Sequence, residues 1–132
     1  MTIIADTNVL LRAALGDDPV QSTSAMQAIE RADAVVITQH ALCEFAWVLK
    51  SNYRMRKDEI ELAIHKLCSV GNVLLDSAAL DSGLKMMEAG ADFAYGVIAY
   101  EGRRLGGDEF VSFDQKAVSA LLKLGVRARL LK

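Results

Sequence analysis

Short apolar runs alternate with stretches of helical spacing along the whole chain, and that alternation limits what it can fold into. The apolar runs fall at 3–5, 34–38, 72–75, 109–112 and 128–131. Helical spacing fills 8–15, 20–31, 39–51, 57–70, 78–88, 91–105 and 115–124, with a turn at Gly16-Asp17-Asp18-Pro19 and stops at Gly90 and Gly125. Runs such as Ile3-Ile4-Ala5 and Ala34-Val35-Val36-Ile37 suit strands covered on both faces, which is the condition of a parallel sheet. The pattern predicts an α/β fold, a three-layer α/β/α sandwich around a central parallel sheet. Strand order does not follow from the pattern.

With 132 residues, 52% of them hydrophobic, the chain is expected to form one domain over 1–132. The single Pro and the lack of any Gly/Ser-rich run leave no visible linker. The N-terminus runs straight into a strand pattern and no apolar stretch approaches bilayer length, so a cytoplasmic protein without membrane contact is expected. Cys43 and Cys68 sit apart in helical patterns and read as buried thiols of a reducing compartment. His40 and His65 have no partner at metal-ligand spacing, so zinc is not indicated. A net charge of -2 does not advertise a nucleic-acid surface, although a bound cation would alter the local sign.

Asp6 ends the first apolar run, with Thr7 and Asn8 placed to cap the helix that follows. Ligands of open parallel sheets collect beyond the carboxyl ends of the strands. Asp114 occupies the same kind of position after Phe110-Val111-Ser112. Glu44 lies on the first turns of the helix after the second strand, at the border of its apolar stripe, and Asp92 opens the helix after Gly90. Each has an ordinary structural explanation: a solvated helix carboxylate for Glu44, a favourable helix end for Asp92, an N-cap for Asp6 and Asp114. Together they suggest more. Carboxylates gathered at one sheet edge would repel, and Mg²⁺ or Mn²⁺, with its preference for oxygen ligands, relieves that repulsion. Such an ion can orient a phosphate and activate water.

These residues resemble the motifs of PIN-domain ribonucleases, and among them the VapC-type toxins of bacterial toxin–antitoxin pairs. Ile4-Ala5-Asp6-Thr7-Asn8-Val9-Leu10 resembles the first motif. The run from Thr38 to Leu49, with Glu44 as its acid, resembles the second. Residues 91–99, beginning Ala91-Asp92-Phe93, resemble the third, and Phe110-Val111-Ser112-Phe113-Asp114-Gln115-Lys116 the fourth. The resemblance covers nearly the whole chain. It implies a PIN fold, Mg²⁺ or Mn²⁺ held by Asp6, Glu44, Asp92 and Asp114, support from Thr7, Asn8 and Ser112, and hydrolysis of RNA. It also implies a small VapB-type antitoxin as partner and a homodimer.

The third motif departs from the family. In the best register the usual Asp falls on Tyr95, while Asp92 matches an acidic position three residues earlier. Residues at i and i+3 share a helix face, so Asp92 and Tyr95 should look the same way, with Gly96 and Ala99 keeping that face low enough for other backbone to approach. A phenol stays protonated to about pH 10 and is a poor Mg²⁺ ligand. Either Asp92 supplies the third carboxylate, or the chain has lost a ligand and cuts RNA poorly; the second is the expectation favoured here.

Basic residues mark possible substrate surfaces. Arg103 and Arg104 close the Asp92 helix, and Lys50, Arg54, Arg56 and Lys57 cluster near the end of the third helix; Arg103 is the candidate RNA contact, although helix ends attract cations anyway. Trp47 falls off the core stripe of its helix, as Tyr53 does beyond it, which suits either a partner helix or a peripheral core niche. Two other functions stay open: a PIN fold that binds antitoxin or RNA without turnover, and a phosphate hydrolase using Asp6 as nucleophile. The last is disfavoured because Asn8 stands where a second acid would be needed.

Overall fold

A computed structural model describes residues 1–132 and divides them into two compact units, Met1–Asp76 and Ser77–Lys132. The first holds β1 (Thr2–Ile4), α1 (Thr7–Leu15), α2 (Pro19–Arg31), β2 (Ala34–Val36), α3 (Gln39–Ser51), α4 (Lys57–Cys68) and β3 (Val73–Leu74). Its strands pair in parallel in the order β1-β2-β3, with Ile3 opposite Val35 and Val35 opposite Val73. Side chains set the helix ends. The Asp6 carboxylate accepts from Val9 N–H at the start of α1, and Gly16 ends that helix at φ +64, a backbone conformation glycine adopts without strain. Asp18 caps α2 with Pro19 in its first turn, and the Thr38 hydroxyl caps α3. Asn72 donates its amide to the carbonyls of Ile29 and Ala32, tying the end of α2 to the start of β3.

Leu10, Val35, Phe45, Leu49 and Ile64 are fully buried. Each such side chain is worth roughly 1.5–3 kcal/mol in apolar transfer. The expectation of strands covered on both faces is only half met. Ile3, Val35 and Val73 form one row, while Ile4, Val36 and Leu74 form the other, where Ile4 is 76% and Leu74 53% exposed. An apolar run says that a strand can be covered twice, not that it is. The strands are also shorter than the apolar runs, because Ile37 and Thr38 lead into the cap of α3. Cys43 and Cys68 form no disulfide and are half-buried rather than buried, and burial pushes Cys68 up to about 11.

The second unit holds α5 (Ser77–Glu88), α6 (Phe93–Arg104), β4 (Phe110–Ser112), α7 (Gln115–Lys123) and β5 (Ala128–Leu130). β4 and β5 are parallel, with Phe110 opposite Ala128 and Ser112 opposite Leu130. Met86, Ala99, Ala117, Ala120 and Leu121 form its core, and Tyr95 and Phe110 pack against them. Helices α5 and α6 approach through two glycines. A methyl group on Gly83 would strike the Phe93 ring at 2.4 Å, and one on Gly96 would lie 2.2 Å from the Ser82 carbonyl oxygen. The close approach expected at Gly96 is present.

Helices and parallel strands thus alternate as an α/β/α fold requires. No helix is long and apolar enough to cross a membrane. The glycine contacts make a paired test. Gly96→Ala should lower stability by about 1–3 kcal/mol through overpacking, seen as a lower urea midpoint. Gly102→Ala, in the same helix with open space around it, should raise stability by about 0.5–1 kcal/mol. Equal midpoints for the two variants would contradict the packing described.

Candidate functional site

In the first unit, Asp6 and Glu44 line one open pocket although 37 residues separate Thr7 from Glu44. Thr7, next to Asp6, donates its hydroxyl to Glu44 Oε1 at 3.0 Å. His40 Nε2 lies 3.0 Å from the same oxygen, one turn earlier on α3. The reason is topological: parallel pairing brings the carboxyl ends of β1 and β2 side by side, so α1 and α3 start together. The pocket holds about 630 Å³ and is also lined by Asn8, Leu11, Arg12, Val48, Asn52 and Tyr53. Asp6 does cap its helix, but with Oδ1 alone. The structural and chemical readings of Asp6 are therefore compatible.

Two residues of that lining, Arg12 and Tyr53, belong to a polar cluster invisible in the sequence. Arg12 donates to Asp17 Oδ1 at 2.8 Å and to the Tyr53 hydroxyl at 3.0 Å; Tyr53 in turn donates to Asp17 Oδ2 at 3.1 Å. Nothing in local spacing joins residues 12, 17 and 53. His40 was within reach of sequence reasoning, because it stands at i−4 from Glu44, where helical side chains meet.

In the second unit, Asp114 caps α7 with Oδ1 on Ala117 N–H at 3.1 Å, and its own N–H donates to the Ser112 hydroxyl at 2.9 Å. Ser112 thus supports Asp114 through its backbone. Asp92 is the N-cap residue of α6. Tyr95, one turn on, packs edge-on against Phe110 with ring centroids 6.1 Å apart and hydrogen-bonds the Asp114 carboxylate. Partial burial, that hydrogen bond, and the negative charges of Asp114 and Asp92 all push the Tyr95 phenol above its ordinary range. Asp92, Tyr95, Ser112 and Asp114 are therefore neighbours.

Arg103 is elsewhere. It lies in the last turn of α6, whose 12 residues put it about 16 Å from the Asp92 end. There it lines a separate cleft of about 560 Å³ with Arg127 and Gly125. Of the other basic residues, Arg56 is engaged by Asp58 and Glu59. Trp47 is 58% exposed, so it does not fill a core niche.

Parallel strands with carboxylates just past their carboxyl ends mark an α/β protein with an acidic, oxygen-donor site. The PIN-domain family profile matches residues 3–124, and the chain belongs to that family. PIN domains are generally nucleases. Comparison with curated proteins finds no match.

PIN nucleases typically use divalent metal ions, and the first unit suits one. Asp6 and Glu44 are hard oxygen donors, and the protein engages only one oxygen of each. Within neither unit do three His, Cys, Asp or Glu side chains group closely enough to hold an ion by themselves. The second unit suits a cation less well, because a protonated phenol already occupies Asp114. That phenol can be titrated. An alkaline absorbance titration should contain a late tyrosinate component that disappears in Tyr95→Phe. Since the native state keeps this proton longer than the unfolded chain, the residue's contribution is intact below about pH 10 and lost as pH rises through the native value. A titration unchanged by Tyr95→Phe would refute the assignment.

Proposed function

We propose that this PIN domain is a VapC-type endoribonuclease, a toxin that hydrolyses RNA with Mg²⁺ or Mn²⁺, works as a homodimer and is neutralised by a VapB-type antitoxin. One observation carries the reading: Asp6 and Glu44, distant in sequence, share an open polar pocket and are coupled through Thr7. The ion would be held by Asp6 and Glu44, with Asp92 and Asp114 as the further carboxylates that the motif resemblance assigns. When bound, it supplies charge stabilisation at the phosphate and an acidified water.

The chain's own groups do the positioning. Thr7 and His40 hold Glu44 by one oxygen, and the cap to Val9 holds Asp6. Asn8 offers an amide donor to a non-bridging phosphate oxygen. Hydrolysis adds water oxygen to phosphorus in line with the leaving oxygen; the old ester bond breaks and the leaving oxygen takes up a proton. Ser112 holds the backbone of Asp114.

A second reading is favoured by the Tyr95 to Asp114 hydrogen bond: a PIN module that binds RNA or antitoxin with little or no turnover. In either case the motif resemblance aligns Tyr95 with the Asp of the family's third motif. Manganese-dependent cleavage of RNA separates the two. Under the nuclease reading, Asp6→Asn and Glu44→Gln should each lower the rate by about a hundredfold or more. Tyr95→Asp should raise it by about tenfold or more, by replacing a neutral phenol with an anionic ligand. Cleavage indifferent to Asp6→Asn would remove this pocket from the chemistry; no cleavage by the parent or by Tyr95→Asp would leave the binding module.

A further inference from the structure

We infer that Tyr53 is a stacking platform for one unpaired base of a single-stranded RNA, which makes the pocket selective for unstructured substrate. The inference rests on the nuclease reading and names the substrate feature that the pocket recognises.

Tyr53 follows α3 and is 39% exposed. An exposed tyrosine usually turns freely about its side-chain bonds. This one is fastened at its tip, accepting from Arg12 and donating to Asp17. Its backbone N–H is held too, on the Val48 carbonyl at 3.3 Å. A ring fastened at its hydroxyl, on a backbone itself held to α3, and still open to solvent offers stacking surface at low entropic cost, which is what base stacking needs. Arg12 is spent on this fastening, because Asp17 neutralises its charge at 2.8 Å; it is a positioning residue and not a phosphate clamp.

Tyr53 shares its pocket with Asp6 and Glu44, and the volume of about 630 Å³ leaves room for a nucleotide beside them. Asn8 and Asn52 line the same pocket, and their amides can both donate and accept. A base whose face lies on Tyr53 would present its edge to such groups. A base inside a duplex has no free face, so a paired strand cannot use this platform.

The test measures binding and cleavage separately. A short labelled single-stranded RNA, and the same RNA annealed to its complement, are titrated with the protein in EDTA and followed by fluorescence anisotropy. The parent should prefer the single strand. Tyr53→Leu, which keeps apolar bulk without a π face, should bind it about tenfold more weakly, whereas Tyr53→Trp should retain the parent affinity. Tyr53→Phe keeps the ring and loses its tether, and should fall between them. Arg12→Lys should behave like Tyr53→Phe on the single strand and leave duplex affinity unchanged, which a general loss of structure would not do.

Equal affinity of Tyr53→Leu and the parent for the single strand, or a parent that binds duplex as tightly, would overturn the stacking role. If manganese-dependent cleavage that needs Asp6 persists in that case, the nuclease reading survives alone. A parent that neither binds nor cuts RNA overturns both.

Discussion

The parallel ladder between β1 and β2 is the constraint on which the first unit depends. It sets Thr2, Ile3 and Ile4 opposite Ala34, Val35 and Val36, and extends by one bond from Ala5 N–H to the Val36 carbonyl. Both strands therefore end at the same edge, and both are followed at once by a capped helix. Asp6 belongs to the first cap and Thr38 to the second. Glu44 is carried to Thr7 by little more than a turn of α3. A slip of β1 by one residue would put Ile3 and Val35 on opposite faces and shift the two helix starts relative to each other. Burial of Val35 and the placing of Asp6 and Glu44 in one pocket thus have one origin.

Capping and chemistry are often treated as competing explanations of a carboxylate after a strand. Here they coexist. Asp6 and Asp114 each give one oxygen to a helix N-terminus, which fixes the carboxylate and favours its charge. The cap on α1 uses only Oδ1 of Asp6. Asp114 meets Tyr95, whose hydroxyl is a neutral donor to it. Burial and two negative neighbours make that phenol still harder to ionise. A neutral phenol beside Asp114 adds no further negative charge next to that carboxylate.

The Arg12, Asp17 and Tyr53 cluster shows a second use of charge. Arg12 is a cation beside an acidic pocket, and electrostatics alone would offer it to phosphate. Its pairing with Asp17 and the Tyr53 hydroxyl spends that charge on rigidity instead. Arg103, the basic residue that looked suited to RNA, is separated from Asp92 by the length of α6. Proximity in the same helix is not proximity to the same end.

Element type and order were legible because hydrophobic period and helix stop signals are local: every helix and strand lies where the pattern put it, with ends displaced by a residue or two. The acidic motifs were legible because short spacings such as Asp6 to Asn8 carry them, and Gly96 announced a close helix crossing because no other residue leaves that space. Long-range relations had no such signal. The Thr7 to Glu44 bond, the tether of Tyr53 and the meeting of Tyr95 with Asp114 join residues from different elements, and only strand register and helix packing decide them. The exposure of Ile4 and Leu74 is of the same kind, since an apolar side chain records what could be buried, and tertiary contact determines what is.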